Sequence, residues 1–215
     1  MAYRRTERVQ EQLQDKRDRI LQAVRAVVGE VGFRGAQVAT VAEAAGVATG
    51  TVYRYFPSKG ELFAEALALN ASHEIDVMAA VARSEGTAAA RLADAVRLFA
   101  LRAVLARRLA WAMFAEPAEP EVDAERLKYR RAFADVIQGL VEDGIAAAEF
   151  PAQNARVSAA GLIGALTEGL IGQLGQDADA PPNAEALAGA ITAFCLQAVS
   201  ARPYPAATRS PYDED

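Results

Sequence analysis

Cysteine, histidine and tryptophan occur once each in 215 residues, as Cys195, His73 and Trp111. A single cysteine forbids an intramolecular disulfide. With one histidine and one cysteine, no group of side chains has metal-ligand spacing. A nucleophilic Ser-His or Cys-His site would have to use His73, which lies in a helical segment without a supporting signature. No glycine-rich loop follows a strand, so the chain offers no phosphate cradle of that kind. No stretch alternates apolar and polar residues with period two, so strands are not expected. The first residues, MAYRRTERVQEQLQD, are charged and lack the apolar centre of a secretion signal. The longest apolar run, near residues 158–174, is interrupted by Thr167, Glu168 and Gln173. A membrane span usually needs about 20 predominantly apolar residues. The expectation is a cytoplasmic all-α protein outside the membrane, with no enzymatic activity, cofactor or metal.

What is present is alanine-rich helix. Hydrophobic residues make up 52% of the chain and charged residues 24%, a globular composition. The net charge of −5 argues against a general nucleic-acid coat. Its distribution is uneven: residues 1–70 carry ten Lys/Arg against eight Asp/Glu, the remainder thirteen against twenty. If the front meets an anionic partner, the rear should be held away from it.

Along residues 16–31, Ile20, Val24, Val27, Val28 and Val31 recur at helical spacing, with Gly32 and Gly35 as the stop. Two short helices are expected at about 38–45 and 49–56, separated by Gly46 and ended by Pro57. Ser58-Lys59-Gly60-Glu61 has the form of a capping box opening a helix to about residue 83. Gly86 breaks the chain and Thr87 caps the next helix, to about residue 106. A further short helix holds Trp111 and Phe114, and EPAEPEVD breaks the chain again. Long helices follow at about 123–148 and 152–174, then a loop, GQDADAPPN, and a last helix opened by Asn183. The tail 202–215 has the composition of a disordered segment.

The informative stretch is VATVAEAAGVATGTVYRYF. Val41, Ala45, Val47, Val52 and Phe56 are the apolar positions of two short helices, and Gly46 tolerates the positive φ of a tight reversal. That is the layout of a helix-turn-helix, whose second helix enters the DNA major groove. Thr49, Thr51, Tyr53, Arg54 and Tyr55 leave the second helix with hydroxyls and a guanidinium, partners for phosphates and base edges. Lys59 stands at the next helix N-terminus, where free amides and partial positive charge already favour an anion. The plainer alternative makes the tyrosines half-buried amphipathic residues and Lys59 a solvated charge.

Three motifs carry a family resemblance: Ala45-Gly46-Val47, Gly50-Thr51-Val52-Tyr53-Arg54-Tyr55-Phe56, and Ser58-Lys59-Gly60-Glu61-Leu62. In these residues the chain resembles the TetR family of transcriptional repressors, over about residues 16–65. The resemblance implies an N-terminal three-helix DNA-binding domain, with Thr49, Gly50, Thr51 and Tyr53 near bases and Tyr53, Tyr55 and Lys59 on phosphates. Gln37 replaces the Thr or Ser that often caps the second helix, and Ala39 a polar residue that reaches bases in some members. The arm Arg4, Arg5, Arg8 is either a minor-groove or phosphate contact or a solvated, disordered extension. These departures keep open a helical ligand- or partner-binding module without specific DNA recognition.

In the rear half, Gly161, Gly164, Ala165, Glu168 and Gly172 fall on one helical face, and Leu162, Ile163, Leu166, Leu170 and Leu174 on the other. The small face suits close helix approach. It reads as a homodimer seam shared with Ile191 and Phe194 of the last helix, unless both faces are buried within one subunit. The resemblance supports the seam, since the family dimerises through two helices near the C-terminus. It also implies a cavity for a small-molecule effector of unknown identity, for which His73, Phe99, Trp111, Phe114, Phe133 and Glu168 are the candidates. Arg102, Arg107 and Arg108 either pair with an acidic ligand or form a solvated face. The expected organisation is a DNA-binding domain over 1–62 and an effector-binding and dimerisation domain over 63–201. Double-stranded DNA with a palindromic operator is the expected partner.

Overall fold

The computed structural model describes residues 2–174 and 183–201, with side chains described from residue 9. The expected tail 202–215, part of the GQDADAPPN loop and the arginines of the arm lie outside the described side chains. Among the described residues the elements are nine helices and no strands. They are α1 Ala2–Gly35, α2 Val38–Ala44, α3 Thr49–Tyr55, α4 Lys59–Ala82, α5 Ala88–Leu105, α6 Arg107–Phe114, α7 Pro120–Ala146, α8 Ala155–Leu174 and α9 Ala184–Ser200. The all-α reading of the sequence holds.

Most boundaries follow the local signals. Ser58 Oγ accepts from the Glu61 amide at 3.0 Å, Thr87 Oγ1 from Ala90 at 3.1 Å and Asn183 Oδ1 from Ala186 at 3.1 Å. Glu149 reinforces the start of α5 from a distance, its carboxylate accepting from the Ala88 and Ala89 amides at 3.1 and 2.9 Å. Gln37, by contrast, makes no side-chain cap to α2.

Three helix starts differ from expectation. Helix α1 begins at Ala2 rather than near residue 16, so the backbone of the arm is helical rather than disordered, and α8 begins at Ala155 rather than near residue 152. Helix α7 begins at Pro120 rather than near residue 123. A proline suits the first turn because its φ is preset and its missing N–H would have no helical partner there. At the front, Gly32 interrupts the helix as expected, with φ 73° and ψ 176°, and a short further stretch runs on to Gly35. The Ala36 amide returns to the Gly32 carbonyl at 3.1 Å, which resumes the turn beyond the kink.

The front helices pack as a unit. Val24, Val28, Val41, Val52, Phe56, Leu62 and Phe63 are almost fully buried. The Phe33 and Phe63 rings meet at 5.5 Å between centroids. Helix α4 therefore runs without a break through the expected boundary at 62/63, its first turns serving the front core. It also packs on α7, while α5 packs on α9 and α7 on α8. Short α6 touches α1 on one side and α8 on the other.

By length and mean hydropathy α8 is able to cross a membrane. One side of it is spent on the core instead, where Leu162, Leu166, Leu170 and Leu174 are buried.

Candidate nucleic-acid interface and ligand cavity

The α2–α3 hairpin is held by its apolar side and a four-residue reversal, residues 45–48. Val41, Ala42, Ala45, Val52 and Phe56 are buried. Gly46 has φ 65°, a value that favours glycine, and the Val47 amide closes the turn on the Ala42 carbonyl at 2.9 Å. The opposite side of α3 carries Thr49, Gly50, Tyr53 and Arg54, all exposed. Tyr53 retains 48% exposure, high for a ring of that size. Thr51 and Tyr55 are half-buried, and Tyr55 leans on the core beside Phe56. The two tyrosines thus differ: one ring stands free and the other is half-buried against the core.

Lys59 is not simply solvated at the start of α4. Its Nζ lies 3.0 Å from a Glu119 carboxylate oxygen and 5.1 Å from the centroid of Phe63. The Glu121 carboxylate lies against Gly60, where an added β-carbon would displace it. Only half of the expected capping box forms: Ser58 Oγ accepts from the Glu61 amide, while the Glu61 carboxylate makes no return bond to Ser58. The amide-rich end of α4 thus has carboxylates beside it, supplied by the turn before α7 and its first residues. An exposed ion pair of this kind is worth up to about 1 kcal/mol. Glu119→Gln should accordingly tighten DNA binding by up to about fivefold at low salt, through release of Lys59. Unchanged affinity in a fluorescence-anisotropy titration would show that Glu119 and DNA do not compete for the lysine.

Next to this pair lies a buried polar hub that nothing in the local sequence announces. Glu116 is 4% exposed and accepts from the Phe33 amide at 2.7 Å and the Arg34 amide at 3.4 Å. It thereby joins the α6–α7 connection to the kink of α1. Arg126 of α7 secures the same connection, donating to the carbonyls of Met113, Ala112 and Glu116 at 3.0, 2.6 and 2.6 Å. A fourth bond goes to Asp123 at 2.5 Å. Burial lowers the pKa of Arg126 below its ordinary 12.5, with Asp123 opposing the shift. The guanidinium nevertheless stays charged at neutral pH. EPAEPEVD reads in sequence only as a chain break, and the partners of Glu116 lie 83 and 82 residues away.

Behind the hub is a cavity of about 280 Å³. Helix α4 contributes Asn70 and Glu74, α5 Phe99 and Arg102, α6 Met113 and Phe114, and α7 Tyr129. Arg102 donates to Glu74 through Nε at 2.7 Å and Nη2 at 2.5 Å, and this bond raises its pKa. Tyr129 is 8% exposed, and burial pushes its phenol well above the ordinary value, so it remains a neutral hydroxyl at physiological pH. Phe99 stacks on Phe114 at 5.6 Å and meets Phe133 edge-on at 4.7 Å. A smaller void of about 20 Å³ continues past Phe133 to Ile163, Leu166 and Thr167 of α8.

Of the sequence candidates for the ligand, Phe99, Phe114 and Phe133 line these spaces. His73 and Glu168 are exposed, and Trp111 is half-buried outside both linings. Their helical phase turns them away from the cavity. Glu74, Arg102 and Tyr129 are the polar lining that sequence reasoning did not assign together. The i+4 relation of Asn70 and Glu74 was the available clue.

The outer side of α8 is open in one subunit. A β-carbon placed on Gly161, Gly164 or Gly172 would meet nothing within 4 Å. Ala165 is half-exposed, and Phe194 of α9 is 57% exposed. Ile191, expected on the same seam, is instead taken up inside the subunit, 3.4 Å from the position of a β-carbon at Gly169. Cys195 is fully buried, and burial pushes its thiol up to about 11. Among the described residues no group of His, Cys, Asp or Glu is arranged to hold a metal.

A family model described as bacterial regulatory proteins of the tetR family matches residues 20–66. A second, for tetracyclin repressor-like C-terminal domains, matches residues 85–168. Together they cover more than half of the chain. The HTH-type transcriptional repressor KstR of Rhodococcus jostii strain RHA1 is 50% identical over 54 residues, 25% of this chain and 26% of that protein. KstR of Mycobacterium tuberculosis strain H37Rv is 47% identical over 53 residues, 25% of this chain and 24% of that one. The matched stretch spans about a quarter of the length of these relatives. Among solved structures, the regulator FadR from Bacillus subtilis in complex with stearoyl-CoA superposes with a TM-score of 0.72 at 21% identity, covering 84% of this chain and 98% of that one. RolR in complex with resorcinol gives 0.62 at 19% identity, covering 91% and 97%. At these identities the likeness concerns the fold.

Proposed function

The chain belongs to the TetR family of bacterial regulatory proteins, and from that premise we propose a homodimeric, sequence-specific DNA-binding repressor released by a small-molecule effector. The observation that carries this reading is the exposed side of α3. Thr49, Gly50, Tyr53 and Arg54 stand free above a hairpin whose other side is sealed by Val52 and Phe56. Residues 1–62 form the reading domain. Thr49, Gly50, Thr51 and Tyr53 face base edges, and Tyr53, Tyr55, Arg54 and Lys59 hold phosphates. Tyr55, with its ring leaning on the core, offers its hydroxyl alone.

Residues 63–201 form the effector and dimerisation domain. The open face of Gly161, Gly164, Ala165 and Gly172, with Phe194 beside it, packs on its two-fold mate. Two reading helices then lie about 34–36 Å apart on a palindromic operator in the cytoplasm. The effector occupies the cavity between α4, α5, α6 and α7. It releases DNA by binding better to the dimer geometry with the wrong spacing. Stearoyl-CoA and resorcinol, held by two structural neighbours, differ so much in size and charge that the shared fold does not choose between such ligands.

Selection from random duplex DNA tests the reading. The expected product is a palindrome bound with steep salt dependence. Tyr53→Phe should weaken binding several-fold with the thermal transition unchanged, and should flatten the salt response less than loss of Lys59 does. A pool without any enriched sequence would overturn DNA recognition. A monomer by sedimentation at micromolar concentration, binding a single half-site, would overturn the dimer.

A further inference from the structure

Helix α3 is too short to hold its own direction. It has seven residues, packs chiefly on α2, and starts after Ala48, which supplies no side-chain cap. Its pose rests on the two residues it buries, Val52 and Phe56 at its C-terminal end, each 1% exposed. Phe56 is covered from α1. The Arg17 guanidinium lies over its ring, 5.2 Å from the centroid. The same guanidinium pairs through Nη2 with Glu65 of α4. Helices α1, α3 and α4 therefore meet at one side chain. Resting on the proposal that α3 reads DNA, we infer that Arg17 is a positioning residue for that reading. Acting through Phe56, it sets the pitch of α3 against the start of α4. Thr49, Gly50 and Tyr53 then reach base edges while Lys59 holds the backbone of the same duplex.

Geometry makes this contact matter more for specificity than for stability. Arg17 and Glu65 keep 31% and 38% of their side-chain surface in water, so the ion pair itself adds little to the fold. Phe56 closes one end of α3 and Thr49 opens the other, about 10 Å away along the axis at ~1.5 Å per residue. A tilt of about 10° at Phe56 carries Thr49 by about 2 Å, well beyond the ~0.5 Å over which a hydrogen bond to a base edge is kept. Lys59 stands close behind Phe56 and opens another helix, so the same tilt leaves its phosphate contact nearly in place. Glu65 lies in the second turn of the helix that Lys59 opens, which ties the stack to the phosphate-binding end of α4. A guanidinium suits the task where an ammonium does not. It is planar, so it can lie on a ring while an edge nitrogen bonds a carboxylate.

The test compares the operator selected by the wild-type chain with a random duplex of equal length, titrated by fluorescence anisotropy at several salt concentrations. The proteins are the full chain and its Arg17→Ala, Arg17→Lys and Glu65→Gln variants. Arg17→Ala should weaken operator binding about tenfold, comparable to the loss of one base contact, and random-duplex binding by no more than about twofold. The salt slope should stay unchanged. Arg17→Lys should recover only part of the loss, because charge alone does not hold the ring. Glu65→Gln leaves the stack in place and should fall between wild type and alanine. The ratio of the two affinities is the readout. A partly unfolded variant loses both alike, so destabilisation by itself does not move the ratio. Hydrogen exchange of the free protein over residues 49–56 reads the pose of α3 without DNA, and should be about threefold faster or more in Arg17→Ala. An unchanged affinity ratio, unchanged exchange or full recovery by lysine would each overturn the inference. So would an equal loss on both duplexes with a salt slope shallower by about one, since Arg17 would then be a phosphate contact. A wild-type chain that selects no operator counts against the repressor reading, and the exchange measurement then decides whether Arg17 holds α3.

Discussion

Arg126→Ala should lower the stability of the protein by about 3–5 kcal/mol, because it leaves several buried main-chain carbonyls without a donor. The side chain is 9% exposed and donates to three main-chain carbonyls of the α6–α7 connection and to Asp123. Its guanidinium also lies 5.8 Å from the Phe33 ring centroid, so it meets the front unit through an aromatic face. Alanine fills none of this space and leaves the carbonyls of Ala112, Met113 and Glu116 without their donor. Each orphaned buried acceptor costs about 1–3 kcal/mol, moderated where water can enter. For a chain of this size the transition should fall by about 10 °C. Arg126→Lys should recover part of the loss, because one ammonium keeps the charge but cannot span carbonyls set in a fork. Thermal and urea denaturation at a fixed protein concentration provide the measurement, since dimerisation would otherwise shift the midpoint. A loss under 1 kcal/mol for the alanine variant would mean that the connection holds itself without the arginine.

Gly32→Ala should cost about 2–4 kcal/mol from two sources at one atom. A φ of 73° with ψ of 176° is a region reserved almost entirely for glycine, and a side chain there stores about 1–3 kcal/mol. The added β-carbon would also lie 2.5 Å from both carboxylate oxygens of Glu116, which must then move off the Phe33 and Arg34 amides. The two contributions are separable. In a Glu116→Ala background the carboxylate is gone, so the same glycine substitution should cost only its backbone strain. The double variant should therefore be more stable than the sum of the single effects predicts. Full additivity, measured by urea denaturation of all four proteins, would show that the carboxylate yields freely and that strain alone makes up the cost.

Some of this architecture is legible in the residues because it depends on neighbours in the chain. The α2–α3 hairpin needs only apolar residues at helical spacing, a glycine that accepts φ of 65° and a proline to stop it. The Ser58, Thr87 and Asn183 caps each act over three residues. The open face of α8 follows from counting at 100° per residue, because a helix fixes the direction of every side chain it contains. Even so, phase alone misplaces residues whose partner is distant. Ile191 fits a seam by composition, yet Gly169 leaves room for it inside the subunit.

Local rules along the chain are enough to make the protein helical, to turn hydroxyls and an arginine outward on α3, and to open α4 on a capped, amide-rich end. These are short-range consequences of backbone hydrogen bonding and side-chain period. That Glu119 pairs with Lys59, that Glu116 meets the Gly32 kink, and that Glu74, Arg102 and Tyr129 line one cavity comes from packing alone. Those pairings join residues dozens of positions apart, and no local rule of propensity or spacing brings them together. Packing of the whole bundle does, because a buried charge must find its partner wherever the fold carries it.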